Sequence, residues 1–353
     1  NRALEYLPSD EEIAERRAQG RALTGPERAV LLAYSKMWLF EALLDSDLPE
    51  DPWIATALQR YFPVALRERF AGYIERHPLR REIVATHVLN SMVNRVGATF
   101  VHRLMDATGA SPPQVVRAYL LVREVFGLVP TWQSIEALDN VVSDEVQSQM
   151  LNELGRRTAR ATTWFLRSRR LSGPMDRTIA GFAPAARQML EFIAGAPAGA
   201  AWRAPIAERQ KALEAKRVPS ALALAVAASE TSLAALDICE IADAAQRPLP
   251  DVAAGYFAVG ELLGLARLRD QVAKLPADGY WQGMAKTALN DDLAGLQRQI
   301  TADALKAGGT VEWERSQSGA IGRARKMLAE LADSRHADLA MLSVALRELR
   351  SLA

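Results

Sequence analysis

Apolar residues along this chain recur in steps of three and four, and sustained two-residue alternation of β-branched or aromatic residues is almost absent. That periodicity predicts helices rather than strands. Ser9 with Glu12, and Thr24 with Glu27, have the spacing of capping boxes, in which a hydroxyl accepts from an orphan backbone N–H and a carboxylate reaches back. Each marks a helix start. After Thr24 the residues Leu31, Tyr34, Trp38 and Ala42 define one stripe, expected to end near Leu44 before Asp45-Ser46-Asp47. Asp51-Pro52 places a cap before a first-turn proline and begins a short helix toward Arg60. Similar signals open helices near Ser111-Pro112, Ser143 and Pro219.

The pattern from Leu79 to Asp106 predicts a long central helix, with Ala85, Leu89, Met92, Val96 and Phe100 on one apolar face. On its opposite side stand Ile83, His87, Asn90, Asn94, Gly97 and Val101. Buried amides and imidazoles need partners, so His87, Asn90 and Asn94 are read as a buried polar network or the wall of a polar pocket. Asp139 and Asn140, ending the helix of Trp132, are candidate partners or a C-cap. A second long helix, Ser143 to about Arg170, has Val146, Met150, Leu154, Ala161 and Phe165 inward. Arg156, Arg160 and Arg167 form a basic stripe on another face, so this helix is expected at the surface.

Composition shifts after Leu171. Gly173-Pro174, Pro184, Gly195, Pro197, Gly199 and Pro205 are too many breakers for one continuous helix. Three segments follow: a helical subdomain over 1–171, a Pro/Gly-rich connection over 172–205, and an alanine-rich helical subdomain over 206–353. In the last, helices are expected at about Pro219–Ala245, Asp251–Gly264, Asp278–Ala307 and from Thr310 onward. Leu339, Leu342, Leu346 and Leu349 make a short heptad-like seam. The expected fold is all-α, either one irregular multi-helix domain or two packed helical subdomains.

The chain has 353 residues, enough for a sizeable core, and 43 basic against 42 acidic residues give a net charge of +1. Such a balance supplies no field for nucleic acid or an anionic membrane, and neither is an expected partner. Apolar runs stop short of the roughly 18 residues a spanning helix needs. A single cysteine, Cys239, cannot form an internal disulfide, and no charged-then-apolar leader opens the chain, which favours a cytoplasmic setting. Starting at Asn1 fits a fragment of a longer polypeptide or a trimmed one.

Candidate chemistry is sparse. Neither G-x-G-x-x-G nor a P-loop occurs, and Gly308-Gly309-Thr310 reads as a helix-to-helix turn with a threonine cap. His77, His87, His102 and His336 make no H-E-x-x-H, so no metal site is expected. Asp291-Asp292 reads as a solvated helix face. Trp164 and Phe165 among the arginines of 156–170 suggest a phosphate or stacking surface only against the near-zero net charge.

Longer motifs are more informative. YFP at Tyr61–Pro63, HPLRRE at His77–Glu82, MVNRVG at Met92–Gly97, TWQSIEALDNVV at Thr131–Val142 and RATTWFLRSRR at Arg160–Arg170 resemble, in that order, the C-terminal helical region of the large bacterial NAD-specific glutamate dehydrogenases. The resemblance implies a parent enzyme that oxidises L-glutamate to 2-oxoglutarate and ammonium with NAD, through machinery upstream of a helical tail. It implies no catalytic, cofactor-binding or metal-binding residue in this chain, which alone is not expected to be an enzyme. The expected role is oligomer assembly or regulation, with the catalytic region of the same polypeptide and further copies as partners. The alternative is a free-standing helical enzyme or small-ligand-binding protein using a pocket beside His87 and Asn90.

Overall fold

Thr24 and Ser9 begin helices as their spacing predicts. In the computed structural model the Thr24 hydroxyl accepts from Glu27 N at 3.4 Å, and Glu27 Oε2 accepts from Thr24 N at 2.7 Å. The Ser9–Glu12 box closes likewise, ahead of the Asp10–Ala18 helix. Arg16 then donates twice to Glu27, at 2.9 Å each, tying the Asp10–Ala18 helix to the Gly25–Leu44 helix. Thr24→Ala is expected to cost about 1 kcal/mol in a thermal or urea melt. A loss under a few tenths would show that this cap contributes little.

The structure describes residues 2–197, 200–276, 280–334 and 337–352; Gly199, Asp278 and His336 lie outside them. No strand occurs among the described residues, and the fold is all-α. Contacts divide the chain into two compact units, one of Asn1–Glu124 with Gly155–Ile179, the other of Val125–Leu154 with Ala180–Ala353. This division is discontinuous in sequence, unlike the sequential split expected at 172–205.

In the first unit the expected Leu79–Asp106 helix is two helices, Arg80–Val96 and Phe100–Thr108. Gly97 separates them with φ 89°, a conformation that side chains with a Cβ rarely adopt. Ala85, Leu89, Met92 and Phe100 are buried as expected, joined by Val84, Val88 and Val93. Phe100 meets the Tyr119 ring edge-on at 6.2 Å, across to the Pro112–Val125 helix. On the Gly25–Leu44 helix the buried residues are Leu39 and Leu43, whereas Leu31, expected inside, is exposed. The Asp144–Arg167 helix, assigned to the second unit up to Leu154 and to the first from Gly155, buries Val146, Met150, Leu154, Ala161 and Phe165, but also Glu153, Arg157, Thr158 and Thr162, so it is more enclosed than a surface helix.

Much of the breaker-rich stretch is helical, at Met175–Gly195 with Pro184 inside, and from Ala180 onward the chain belongs to the second unit. An internal proline costs roughly 3 kcal/mol of helix stability. Burial of Phe182, Ala185, Ala186, Met189 and Ile193 on this helix offsets that cost. The expected 219–245 helix is instead Ser220–Ala227 and Ala234–Ala245, bent by 70° around a short turn where Ser232 Oγ donates to the Ser229 carbonyl at 2.8 Å. Leu342, Leu346 and Leu349 join Leu268, Leu293, Ile300, Trp313 and Ile321 in one apolar cluster. Three leucines of the C-terminal seam are therefore consumed inside their own unit, whereas Leu339 is exposed. No single helix among the described residues is long and apolar enough to cross a membrane.

Candidate functional site

Asparagines four apart on a helix present their amides on one face. Asn90 and Asn94 do so along the Arg80–Val96 helix, where Lys36 of the Gly25–Leu44 helix donates to Asn90 Oδ1 at 2.7 Å and to Asn94 Oδ1 at 2.9 Å. One ammonium satisfies both acceptors. Next to them His87 is half-buried; burial first, then the charges of Arg123 and Arg60, holds its imidazole below the ordinary value. Ser91 anchors the inner side, its hydroxyl accepting from Arg123 Nη1 at 3.1 Å and its carbonyl from the Tyr119 hydroxyl at 3.0 Å. Burial pushes the Tyr119 phenol up to about 12. His102 stacks on Trp38 at 4.4 Å. Lys36 tied to two amides, and Ser91 tied to Arg123 and Tyr119, join the Gly25–Leu44, Arg80–Val96 and Pro112–Val125 helices along one polar seam.

The seam differs from the buried network expected in sequence. Asn90 and His87 are half-buried, but Asn94 is exposed, because it lies near the end of its helix where the packing opens. Asp139 and Asn140 are exposed as well and belong to the other compact unit; Asn140 sits at φ 62°, ending a turn as a left-handed residue. Arg156, Arg160 and Arg167 are exposed on one face of their helix.

His87 gives the seam a pH dependence. A base whose folded pKa is depressed binds fewer protons folded than unfolded, so stability falls as pH drops through the unfolded value near 6.5. Melts between pH 7 and pH 5 are expected to show a steeper loss for the native chain than for His87→Gln. Parallel curves would remove His87 from the account.

Close by, the loop after the Gly25–Leu44 helix is held by three arginines. Arg81 donates to the Leu44 and Ser46 carbonyls at 2.8 and 3.0 Å and to Glu50 at 2.8 Å, while Arg80 reaches the other Glu50 oxygen at 3.0 Å. These contacts, led by the Arg81 hydrogen bond, lower the Glu50 pKa. Arg117 donates to Asp51 Oδ2 at 2.6 Å and to the Leu171 and Gly173 carbonyls at 2.9 and 2.7 Å. A cleft of about 430 Å³ opens here, lined by Ser46, Leu48, Glu50, Asp51, Gln114 and Arg117 among others. Of its three acidic residues, Asp47, Glu50 and Asp51, the last two are paired with arginines.

The family model for the C-terminal part of glutamate dehydrogenase matches residues 20–351. The chain belongs to this family. It is similar over its whole length to the NAD-specific glutamate dehydrogenases of Pseudomonas aeruginosa, at 39% identity over 364 residues, and of Halomonas elongata, at 38% over 361. The corresponding enzyme of Mycobacterium tuberculosis is 34% identical over 364 residues. In each case this chain spans only 22% of the relative's length.

Within this glutamate dehydrogenase C-terminal chain, the motif residues perform structural tasks. HPLRRE supplies Arg80 and Arg81 to the loop at 44–50, and its His77 Nδ1 accepts from Leu79 N at 3.1 Å. MVNRVG supplies Asn94 and the Gly97 break; Phe62 of YFP packs its ring 5.8 Å from His77. A dinucleotide phosphate does not fit the glycine turn at 308–309. The glycine pair at 308–309 spends its amides on the Leu305 and Ala304 carbonyls, and Glu312 Oε2 would lie 3.2 Å from a Cβ at Gly309, putting negative charge where phosphate would go. Thr310 is the first residue of its helix rather than the cap; Gly309 is. Asp292 pairs with Arg350 at 2.7 Å.

Sequence reasoning missed a polar network in the second unit. Gln297, 2% exposed, donates through Nε2 to the Tyr256 carbonyl at 2.8 Å and accepts from Arg269 Nη2 at 2.6 Å. Arg298 bridges Asp237 and Glu240 at 3.3 Å each, and the Tyr256 hydroxyl donates to Asp237 at 3.4 Å. Burial, then the neighbouring Asp237 charge, raises the Tyr256 pKa. The available signal was Gln297 and Thr301, uncharged polar residues four apart amid Leu293, Leu296 and Ile300.

Proposed function

We propose that this chain is the non-catalytic C-terminal helical domain of a large cytoplasmic NAD-dependent glutamate dehydrogenase, serving assembly of the oligomer or regulation of the catalytic region. The parent reaction is oxidation of L-glutamate by NAD to 2-oxoglutarate and ammonium. One observation carries the reading: the family match runs through nearly the whole chain, while the relatives are several times longer. The commitment of Lys36, Asn90 and the loop arginines to helix packing supports it further.

Calorimetry on the purified chain is expected to detect no NAD binding in the micromolar range, and the chain alone should not reduce NAD with glutamate. Micromolar binding would count decisively against the proposal. Deleting the region from the parent polypeptide is expected to change the oligomer's sedimentation or the enzyme's response to ligands. A deletion leaving both unchanged would reject the assembly and regulatory roles.

A further inference from the structure

Between residues 59 and 79 the first unit is covered poorly. Of these described residues only Ile74 is buried, and the helices Ala57–Tyr61, Val64–Arg67 and Ala71–Glu75 have five, four and five residues. Helices this short have little intrinsic stability in water and rely on packing. Instead, Tyr61, Val64, Leu66, Phe70, Tyr73 and Leu79 are exposed, Val64 and Tyr73 at 74% each. Six large apolar side chains are exposed within one twenty-one-residue stretch, a density beyond that of singly scattered surface residues. Arginine accompanies the rings: the Arg69 guanidinium lies 5.3 Å above Phe70, and Phe70 meets Tyr73 edge-on at 6.3 Å. Tyrosine, phenylalanine and arginine together are the composition of a protein interface.

Charge decides what can cover it. Arg60, Arg67, Arg69 and Arg76 face only Glu68 and Glu75 in this stretch, a net of +2. In a two-fold dimer built on this patch two segments of net charge +2 would meet across the axis. A different surface, apolar at its centre and acidic at its rim, fits better. Relatives of which this chain spans only 22% supply ample further polypeptide for one.

We infer that the 59–79 segment docks an acidic-rimmed apolar surface of the preceding, catalytic region of the same polypeptide. This rests on the proposed place of the chain in a longer enzyme. Tyr61, Val64 and Tyr73 are its central contacts, and the patch is the physical link through which the helical domain and the catalytic region are joined.

Site-specific photocross-linking in the full natural polypeptide tests it. With p-benzoylphenylalanine replacing Tyr73, irradiation is expected to yield cross-links to acidic, apolar-containing peptides N-terminal to this chain. The same probe at Val64 serves if position 73 does not tolerate it. Cross-links to the 59–79 segment of a second copy would overturn the inference in favour of a dimer surface. The absence of any cross-link, in a longer polypeptide whose probe is intact, would show that the patch faces water and would overturn it too. A natural polypeptide with no catalytic region, measured by mass, would instead defeat the parent-enzyme reading itself.

Discussion

Arg117→Leu is expected to lower the stability of the first unit by about 2–3 kcal/mol. Removing one partner of a fully buried ion pair costs roughly 3–5 kcal/mol, because the other charge is left uncompensated. Here the Arg117 and Asp51 side chains are 18% and 15% exposed, so water recovers part of that cost. The loss of two carbonyl partners, Leu171 and Gly173, adds to it. Asp51 also caps the Pro52–Ala55 helix through its other oxygen, accepting from Trp53 N at 2.9 Å and Ile54 N at 3.3 Å. That division of labour supplies the control. Asp51→Asn keeps the cap, since asparagine is an equally good N-cap, and removes the charge that Arg117→Leu would strand. The double variant Arg117→Leu with Asp51→Asn should therefore lose less than the two single losses added together. Urea melts with additive losses, or an Arg117→Leu loss below about 0.5 kcal/mol, would show the anchor to be ornamental.

What the sequence made legible were features governed by neighbouring residues. Capping boxes at Ser9 and Thr24 need only a four-residue window, and both form. The apolar face of Ala85, Leu89 and Met92 is a matter of helical period, and it is buried. Features set by distant residues were harder to read. The break at Gly97 was hidden because glycine inside a periodic pattern is compatible with a continuous helix until the backbone demands a positive φ. Pro184 misled in the other direction, since its local cost is met by burial across the Met175–Gly195 helix, which no breaker count can register. Asn90 and Asn94 were recognisable as a pair on one face, but not Lys36, fifty-four residues from Asn90, as the cation that joins them. The arginines of HPLRRE were visible as a motif. Their task, holding carbonyls in the loop at 44–46, depends on chain geometry that spacing alone does not encode.

Gly260→Ala tests the second unit in the same terms and carries the other large expected effect. A helical Gly→Ala change on its own gains up to about 1 kcal/mol from propensity. At Gly260, however, the new Cβ would stand 2.8 Å from Gln297 Nε2 and 3.6 Å from its Cδ. The amide cannot simply swing away, because it is 2% exposed and held from both ends by the Tyr256 carbonyl and the Arg269 guanidinium. Displacing it leaves buried groups unpaired, at roughly 1–3 kcal/mol each, which outweighs the propensity gain. A net loss of about 1–3 kcal/mol is expected. Gly255, in the same Leu249–Leu262 helix, offers the contrast: its Cβ would make ordinary contact with Leu305 Cδ2 at 3.7 Å, so Gly255→Ala should be neutral or stabilising. Opposite signs for these two substitutions in one helix would locate the effect at the Gln297 amide. If Gly260→Ala melts at or above the native temperature, the amide has room to move, and the Gln297 contacts do not constrain the packing of this unit.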